Sequence, residues 1–172
     1  MRVPCSSYLD RDVSIGNPFV PSETQIYIRF ADVDMMNVVH HASYIHWFEQ
    51  IRFNFMYTVL RITFRDLLAS EIALPLISCE ASYRKPFRFG DRPVGYAKVT
   101  LFKEAKIALH YDVYNRDTGE LCTTGVTTHC FLGKEFRMLP RMPEFFVDAI
   151  ERAKICFPEC VLANQREMSA GK

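Results

Sequence analysis

The sequence predicts an α+β fold in which a curved antiparallel sheet wraps around one long central helix. Two observations lead to this prediction. One helical stretch in the first third of the chain is apolar around almost its whole circumference, so most of its surface must be covered. The strand-like stretches are segregated from it, one before the helix and four after it, which is typical of a sheet that packs against a helix.

The composition limits both the number of domains and the classes of function. The 172 residues suit one domain, because domains commonly have about 100–150 residues and two would each have a thin core. Lysine and arginine total 21 against 20 acidic residues, which argues against a dedicated nucleic-acid partner. No apolar run is long enough for a membrane span, and the N-terminal stretch lacks the apolar centre of a secretory signal. We therefore expect a cytoplasmic protein without a membrane partner.

The first two predicted elements are a strand and the long helix. Apolar residues alternate with polar or small ones over Thr24–Ala31, and this period of two predicts a strand. Residues Tyr44–Leu60 follow a helical period instead. Their polar positions form a narrow stripe spaced by four residues, at His46, Gln50, Asn54 and Thr58.

Shorter elements follow the long helix. A second helix is predicted over Phe64–Ser70, and a last one begins at Pro143, a residue suited to the first helical position. A turn signal at Asp117-Thr118-Gly119 joins the last two of four predicted strands. These strands span Ala73–Tyr83, Val94–Lys103, Lys106–Asn115 and Leu121–Leu132.

The chain is predicted to form one domain with an extension at each end. Residues 1–23 are polar and contain one glycine and three prolines, so we expect a poorly ordered N-terminal arm. The domain spans 24–157 and includes the last helix, and 158–172 form a C-terminal tail. The six cysteines are expected as thiols, because a chain with 49% apolar residues does not need disulfides in place of a core.

The densest run of reactive side chains is Asp32–Tyr44, between the first strand and the long helix. Three of the five histidines, His40, His41 and His46, lie within seven residues of one another. The start of a helix presents unpaired N–H groups and a positive dipole end, which suits an oxyanion. Asp34 can fold back beside these donors as a nucleophile or general base. Acyl transfer needs such a pair.

Two other interpretations of this segment stay open. Aspartate and asparagine before a helix commonly serve as turn and cap residues, and a histidine on a helix is commonly just packed. Asp32, Asp34, His40 and His41 could also bind a metal ion. His40 and His41 are adjacent, however, so on a helix their side chains diverge by about 100°. We therefore expect no metal site.

The same segment resembles the signature of a known enzyme family. Residues 28–34 (IRFADVD), followed by 38–44 (VVHHASY), are similar to the 4-hydroxybenzoyl-CoA thioesterase family of hot-dog-fold proteins. Within it they most resemble the Tol-Pal-associated branch of short acyl-CoA thioesterases. The similarity continues through Trp47, Glu49 and Arg52 and resumes at residues 83–91 (YRKPFRFGD). The order of the predicted elements is the hot-dog order.

The resemblance implies an enzyme that hydrolyses thioesters of coenzyme A or an acyl carrier protein to free acid and thiol, without metal or other cofactor. The family's catalytic carboxylate falls on Asp34, its backbone donor at the helix start on His41, and a flanking aromatic residue on Tyr44. Glu49 is the alternative base, because another branch of the fold carries its acid on this helix. Its other interpretation is an ion pair with Arg52. The resemblance also implies a homodimer or homotetramer with active sites at the dimer interface.

Two groups of residues are candidates for substrate binding. The family commonly has glycine in the loop before Val38, where this chain has Met36-Asn37, and asparagine accepts the left-handed conformation better than most residues. We expect Met35, Met36 and Asn37 to reshape the acyl pocket. Further residues available to line it are Phe30, Trp47, Phe48 and Phe87.

A basic cluster follows the predicted strand Ala73–Tyr83. Arg84, Lys85 and Arg88, with Arg92, either contact the phosphates of coenzyme A or phosphopantetheine, or form a solvated turn. Asp91 is expected to fix that turn. His110 and His129 fall in strand patterns and are expected to be structural.

Two functions other than hydrolysis stay open. Hot-dog hydratases and dehydratases also act on acyl thioesters and pair an aspartate with a histidine across the site, so His41 beside Asp34 fits them as well. The second is a non-catalytic acyl-binding protein that retains the fold.

Overall fold

Five strands form one antiparallel sheet in the computed structural model, which describes residues 22–162 of the chain. The order across the sheet is β1-β3-β4-β5-β2, so the second strand in sequence lies at the far edge, beside the fifth. The strands are β1 (Thr24–Gln25), β2 (Leu76–Tyr83), β3 (Pro93–Lys103), β4 (Lys106–Asn115) and β5 (Leu121–Cys130). The predicted α+β class is confirmed.

The long helix packs against one face of this sheet. It comprises α1 (His41–Phe55) and a π-helical continuation over Met56–Leu60, and it is followed by α2 (Phe64–Ala69) and α3 (Glu144–Cys156). Short 3-10 turns occur at Phe30–Asp32, Lys134–Phe136 and Pro158–Cys160. No helix within residues 22–162 combines the length and the apolar character that a membrane crossing requires.

Two glycines allow α1 to approach the sheet closely. The Phe48 ring stacks on Tyr111 of β4, with centroids 4.8 Å apart. A Cβ atom on Gly125 of β5 would lie 2.3 Å from the Phe48 ring, and one on Gly95 would lie 2.2 Å from the Ile51 side chain. Contacts this short do not occur between real atoms, so the helix could not sit where it does if either glycine carried a side chain.

The prediction of a first strand over Thr24–Ala31 is wrong beyond its first two residues. Only Thr24 and Gln25 pair, with β3, and the chain turns into a 3-10 helix at Phe30, which is exposed. The Asp32 carboxylate causes this turn, because it accepts hydrogen bonds from the Arg29 backbone N–H and guanidinium, both at 2.8 Å. A period of two in the sequence does not reveal such a local ion pair.

The long helix differs from its prediction in where it begins and how much of it is covered. It begins at His41 rather than Tyr44. The exposed side of the helix is wider than the predicted polar stripe, since the apolar residues Ile45 (41% exposed), Phe53 (37%) and Tyr57 (60%) also face outward. The sheet therefore covers one side of this helix within the single chain and does not enclose it.

The later strands and the last helix lie close to their predicted positions. β2 begins at Leu76 rather than Ala73, while Ala73 and Leu132 form an isolated bridge instead. Pro143 is the residue before α3, not its first helical residue. Cys79, Cys122, Cys130 and Cys160 are thiols, as expected, and Cys5 lies outside the described residues.

Both ends of the described chain are held on the sheet. Ser22 is buried, and the Glu23 carboxylate accepts a hydrogen bond from the Tyr96 hydroxyl at 3.0 Å. At the other end, Val161 is buried and pairs with Val99 of β3. The first residues of the expected tail, 158–162, are thus part of the fold. The rest of the expected arm (1–21) and tail (163–172) lies outside the described residues.

Candidate active site

The segment between the 3-10 turn and α1 is a loop closed by its own backbone. Val33 and Val39 form an isolated antiparallel bridge, and the Asp34 N–H donates to the Val38 carbonyl at 2.9 Å. Asn37 closes the loop in the left-handed region, with φ at 59°. The backbone conformation expected for Asn37 is therefore the one observed, and asparagine tolerates it with little strain.

Asp32 anchors this loop to the helix and is not available for chemistry. Its carboxylate is buried and bound by Arg29, and its carbonyl accepts the His40 N–H at 2.8 Å. The Ser43 hydroxyl on the first turn of α1 also donates to it, at 3.4 Å. The hydrogen bonds from the Arg29 side chain hold the pKa of Asp32 below its ordinary value, so this carboxylate stays charged and paired.

The start of α1 leaves one backbone donor unused. His40 caps the helix, and its Nδ1 accepts the Ala42 N–H at 3.3 Å. The Ser43 N–H donates to the His40 carbonyl at 2.9 Å. Among the hydrogen bonds of residues 22–162, none is donated by the His41 N–H. An unpaired N–H at the positive end of a helix is a ready donor for a developing negative charge.

Asp34 and His41 line the same cavity, of about 260 Å³. Asp34 is half-buried, and its Oδ1 accepts the Met36 N–H at 2.8 Å, which fixes the carboxylate within the loop. It makes no ion pair with any described residue. The remaining lining residues are Met36, Val38, Val39, Tyr44, Tyr83, Arg84, Lys85 and Pro86.

An aromatic cluster closes the inner side of this cavity. Tyr44 is buried, with its ring centroid 4.7 Å from Trp47, and the Trp47 ring is 5.7 Å from Phe87. The Tyr44 hydroxyl accepts the Phe87 N–H at 3.5 Å, and burial raises the pKa of Tyr44, which keeps the phenol neutral. Trp47 and Phe87 thus lie behind Tyr44 and support it.

Several expected pocket residues lie elsewhere. Met35 is fully exposed and does not narrow the cavity. Met36, in contrast, is one of the residues that line the cavity. Phe30 also faces solvent and contacts Phe89 edge-on at 6.1 Å. Phe48 packs against the sheet instead of the cavity. Asn37 shapes the loop but does not line the cavity.

The basic cluster divides into paired and unpaired cations. Lys85 pairs with Glu120, and Arg92 pairs with Asp117. Arg88 donates to the Asn37 carbonyl at 3.5 Å and lies outside the cavity lining. Arg84 lines the cavity and makes no ion pair with the described residues, which leaves its guanidinium available to an anion.

Glu49 is not part of this cavity. Its Oε1 lies 3.5 Å from the Arg52 guanidinium, and more than half of its side chain is exposed. The ion-pair interpretation therefore fits its position better than the role of a base. Asp91 accepts the Arg88 N–H at 2.8 Å, as expected of a turn residue.

The remaining histidines and acidic residues do not form a common site among the described residues. His129 is buried, and His110 contacts Asp112 at 3.0 Å. The rings of His40 and His41 lie side by side, 4.0 Å apart. Within residues 22–162, no three His, Cys, Asp or Glu side chains come together as metal ligands.

A larger cavity, of about 560 Å³, lies on the opposite face of the sheet. Its Glu23 carboxylate is bound by Tyr96 and Arg116, and its Asp112 by His110. Glu159 also lines it, and its carboxylate makes no ion pair with the described residues. The smaller cavity combines a carboxylate with the unpaired His41 N–H at the start of α1 and is the candidate active site.

Tyr83 is the site residue that sequence reasoning missed. It ends β2 and lines the cavity, where its hydroxyl donates to the His41 carbonyl at 3.3 Å. The sequence placed it at the end of a predicted strand next to the basic cluster, and that position was the available signal. Nothing in the sequence pattern shows that the end of β2 and the start of α1 are in contact.

Comparisons with known proteins identify the family of this chain. Residues 28–150 match the family model described as the thioesterase-like superfamily. The chain is 28% identical over 136 residues to a Bacillus subtilis protein named "Putative acyl-CoA thioesterase YneP", covering 77% of this chain and 97% of that protein.

Solved structures share the fold. A hypothetical protein from Thermus thermophilus is 26% identical, with a TM-score of 0.71 over 77% of this chain and 98% of that one. A DHNA-CoA thioesterase from Staphylococcus aureus superposes with a TM-score of 0.71 at 24% identity, over 83% and 97% of the two chains. The predicted hot-dog fold is thereby confirmed, and the chain belongs to the thioesterase-like superfamily.

Proposed function

We propose that this protein hydrolyses acyl-CoA thioesters to the free acid and coenzyme A. The observation that carries the proposal is the shared cavity of the Asp34 carboxylate and the unpaired His41 N–H. Membership of the superfamily and the name of the Bacillus subtilis relative support the same reaction. Thioesters of a phosphopantetheine carrier protein present the same reacting group and are the alternative substrate class.

The two groups have complementary roles in the reaction. The His41 N–H donates to the thioester carbonyl oxygen, which stabilises the negative charge that develops there. Asp34 takes a proton from water, the water oxygen bonds to the carbonyl carbon, and the C–S bond breaks. The proton then passes to the thiolate. As a nucleophile, Asp34 would instead bond to the carbonyl carbon and expel the thiolate, which takes a proton from water, and water would hydrolyse the resulting anhydride in a second step.

The lining of the cavity suits the rest of the substrate. The Arg84 guanidinium can bind a phosphate of coenzyme A, with Lys85 beside it in the cavity lining and Arg88, outside the lining, as a further cation for the rest of the cofactor. Met36 and Val38 offer apolar contacts to the acyl group, and Tyr44 flanks it. These roles of Tyr44, Met36 and the basic residues are part of the proposal.

The decisive experiment is Asp34→Asn, assayed on acyl-CoA with a free-thiol readout. Asparagine keeps the Oδ1 that accepts the Met36 N–H, so the loop is expected to keep its shape. We expect kcat to fall by at least roughly 100-fold, since a general base contributes about 10²–10⁴-fold. Glu49→Gln is the matched control and should retain activity, because Glu49 lies outside the cavity.

Other outcomes would identify the competing functions. An active Asp34→Asn with an inactive Glu49→Gln would move the base to Glu49. An enoyl thioester that loses its double-bond absorbance without releasing thiol would indicate a hydratase. Tight acyl-CoA binding with no thiol released over hours would indicate a non-catalytic acyl-binding protein.

A further inference from the structure

Tyr83 joins the edge of the sheet to the first turn of α1. It is the last residue of β2, the edge strand, and its hydroxyl donates to the main-chain carbonyl of His41 at 3.3 Å. Its ring meets the Tyr44 ring edge-on, with centroids 4.9 Å apart. Because Tyr44 is buried and packed against Trp47, it fixes the direction in which the Tyr83 phenol points.

We propose that Tyr83 is a positioning residue for thioester hydrolysis, whose phenol holds residue 41 so that the His41 N–H stays directed at the thioester oxygen. The proposal rests on the proposed function. Tyr83 itself acts through the His41 backbone and not on the reacting atoms.

The first turn of α1 needs such support. The first residues of a helix lack intrahelical partners for their N–H groups and fray easily. Here the cap from His40 is long, at 3.3 Å to the Ala42 N–H. An oxyanion donor contributes most when its direction is fixed before the reaction begins. A hydrogen bond from the sheet to the carbonyl of the same residue restricts how far that residue can rotate.

The phenol is suited to this role across the neutral pH range. A carbonyl oxygen can only accept, so the proton of this hydrogen bond must come from Tyr83. Burial raises the pKa of Tyr83, with Cys79 adding to the effect, and the phenol therefore keeps its proton well above pH 7.

Tyr83→Phe removes the hydroxyl and keeps the ring against Tyr44. We expect kcat to fall about 10-fold, the equivalent of one net hydrogen bond, with KM within about twofold of the wild type. The melting temperature should stay within about 2–3 °C. Tyr57→Phe is the matched control, because the Tyr57 phenol is exposed on the same helix and makes no hydrogen bond with the described residues; it should leave kcat unchanged.

Replacing Tyr83 by a fluorinated tyrosine adds a readout that packing alone would not change. Its more acidic phenol loses the donor proton at lower pH, so the alkaline fall of kcat should move to lower pH while activity near pH 6 stays unchanged. An unmoved alkaline limb would overturn the proposal. So would a Tyr83→Phe variant with wild-type kcat, or one in which only KM rises.

Backbone amide exchange separates this proposal from the proposed function. Tyr83→Phe should speed exchange in the peptide that contains residues 38–48, whether or not the protein hydrolyses a given thioester. Unchanged exchange in that peptide would contradict the role of Tyr83. A wild-type protein that releases no thiol from any acyl thioester would instead contradict the proposed function.

Discussion

Two aspartates that stand two residues apart have different surroundings in this protein. Asp32 is buried, bound by Arg29 and Ser43, and its pKa is lowered by the Arg29 hydrogen bonds. Asp34 reaches the cavity and makes no ion pair with the described residues. The sequence pattern favoured Asp34 as the acid that folds back beside the helix start, and the resemblance placed the family's carboxylate on the same residue, but neither showed that Asp32 is buried and paired. The difference arises because Arg29 precedes the first aspartate by one turn.

Asn37 offers a test of how the loop around Asp34 is built. Its left-handed backbone suits glycine and asparagine but not a β-branched residue. We expect Asn37→Gly to keep both activity and stability, and Asn37→Val to lower the free energy of unfolding by about 1–3 kcal/mol. Urea denaturation of the two variants measures this. Equal stability of Asn37→Val and the wild type would show that the loop is not constrained.

His129 makes stability depend on pH. It is buried, its Nε2 contacts the Thr127 hydroxyl at 3.0 Å, and burial, with Arg52 nearby, lowers its pKa to about 4 from the ordinary 6.5. The unfolded chain therefore binds the proton at a higher pH than the folded one does.

Protonation of His129 therefore favours the unfolded chain, and acid should destabilise the fold. The contribution of neutral His129 is complete above pH 6.5 and is lost as the pH falls through 4, at a cost of about 3 kcal/mol. Urea unfolding at a series of pH values should show this decrease, and His129→Gln should flatten it between pH 6.5 and 4. A wild-type protein whose stability is constant over that range would disprove the assignment.

At the level of elements, the strands that sequence alone placed best are β3 and β4, whose long alternation is packed against α1. The prediction of the first strand was wrong beyond Gln25 because the Arg29–Asp32 pair turns the chain where the alternation of apolar residues would continue the strand. The sequence could predict that Asp34 and His41 share one site because the loop and the helix start are neighbours in sequence. Tyr83 was missed because it reaches the site across 42 residues of chain.

Gly125 tests how closely α1 must approach the sheet. A Cβ atom there would overlap the Phe48 ring and lie 3.1 Å from the Glu80 carbonyl. We expect Gly125→Ala to lower the free energy of unfolding by about 1–3 kcal/mol, since an overpacked core must shift. Adding Phe48→Leu, which shortens the opposing side chain, should recover part of that loss. If the double variant loses as much unfolding free energy as the two single variants together, this contact is not the cause.

At the level of the whole molecule, one side of the sheet lacks a neighbour within the described chain. β2 pairs only with β5, and Leu76 and Ile77 on it are each 49% exposed. Apolar residues on the outer side of α1 are exposed as well. An open, apolar edge strand is a template for pairing with another copy. We propose a homodimer that joins through β2, or a homotetramer built from two such dimers.

A charge on the edge strand tests this assembly. The wild-type chain of 20.0 kDa should elute at twice or four times that mass in light-scattering chromatography. Ile77→Lys should shift it to the monomer and reduce activity, because charged residues on an edge oppose pairing. Ile155→Lys, on the exposed side of α3, is the matched control and should leave the mass unchanged. A monomeric wild type would refute the dimer.

The two ends of the described chain have a practical consequence for handling this protein. Ser22 and Val161 both lie along β3, at the edge of the sheet opposite β2. A fluorescent reporter attached at Leu162, which is exposed, would consequently sit at the edge of the sheet opposite β2 and Tyr83. The labelled protein should release thiol at the rate of the unlabelled protein.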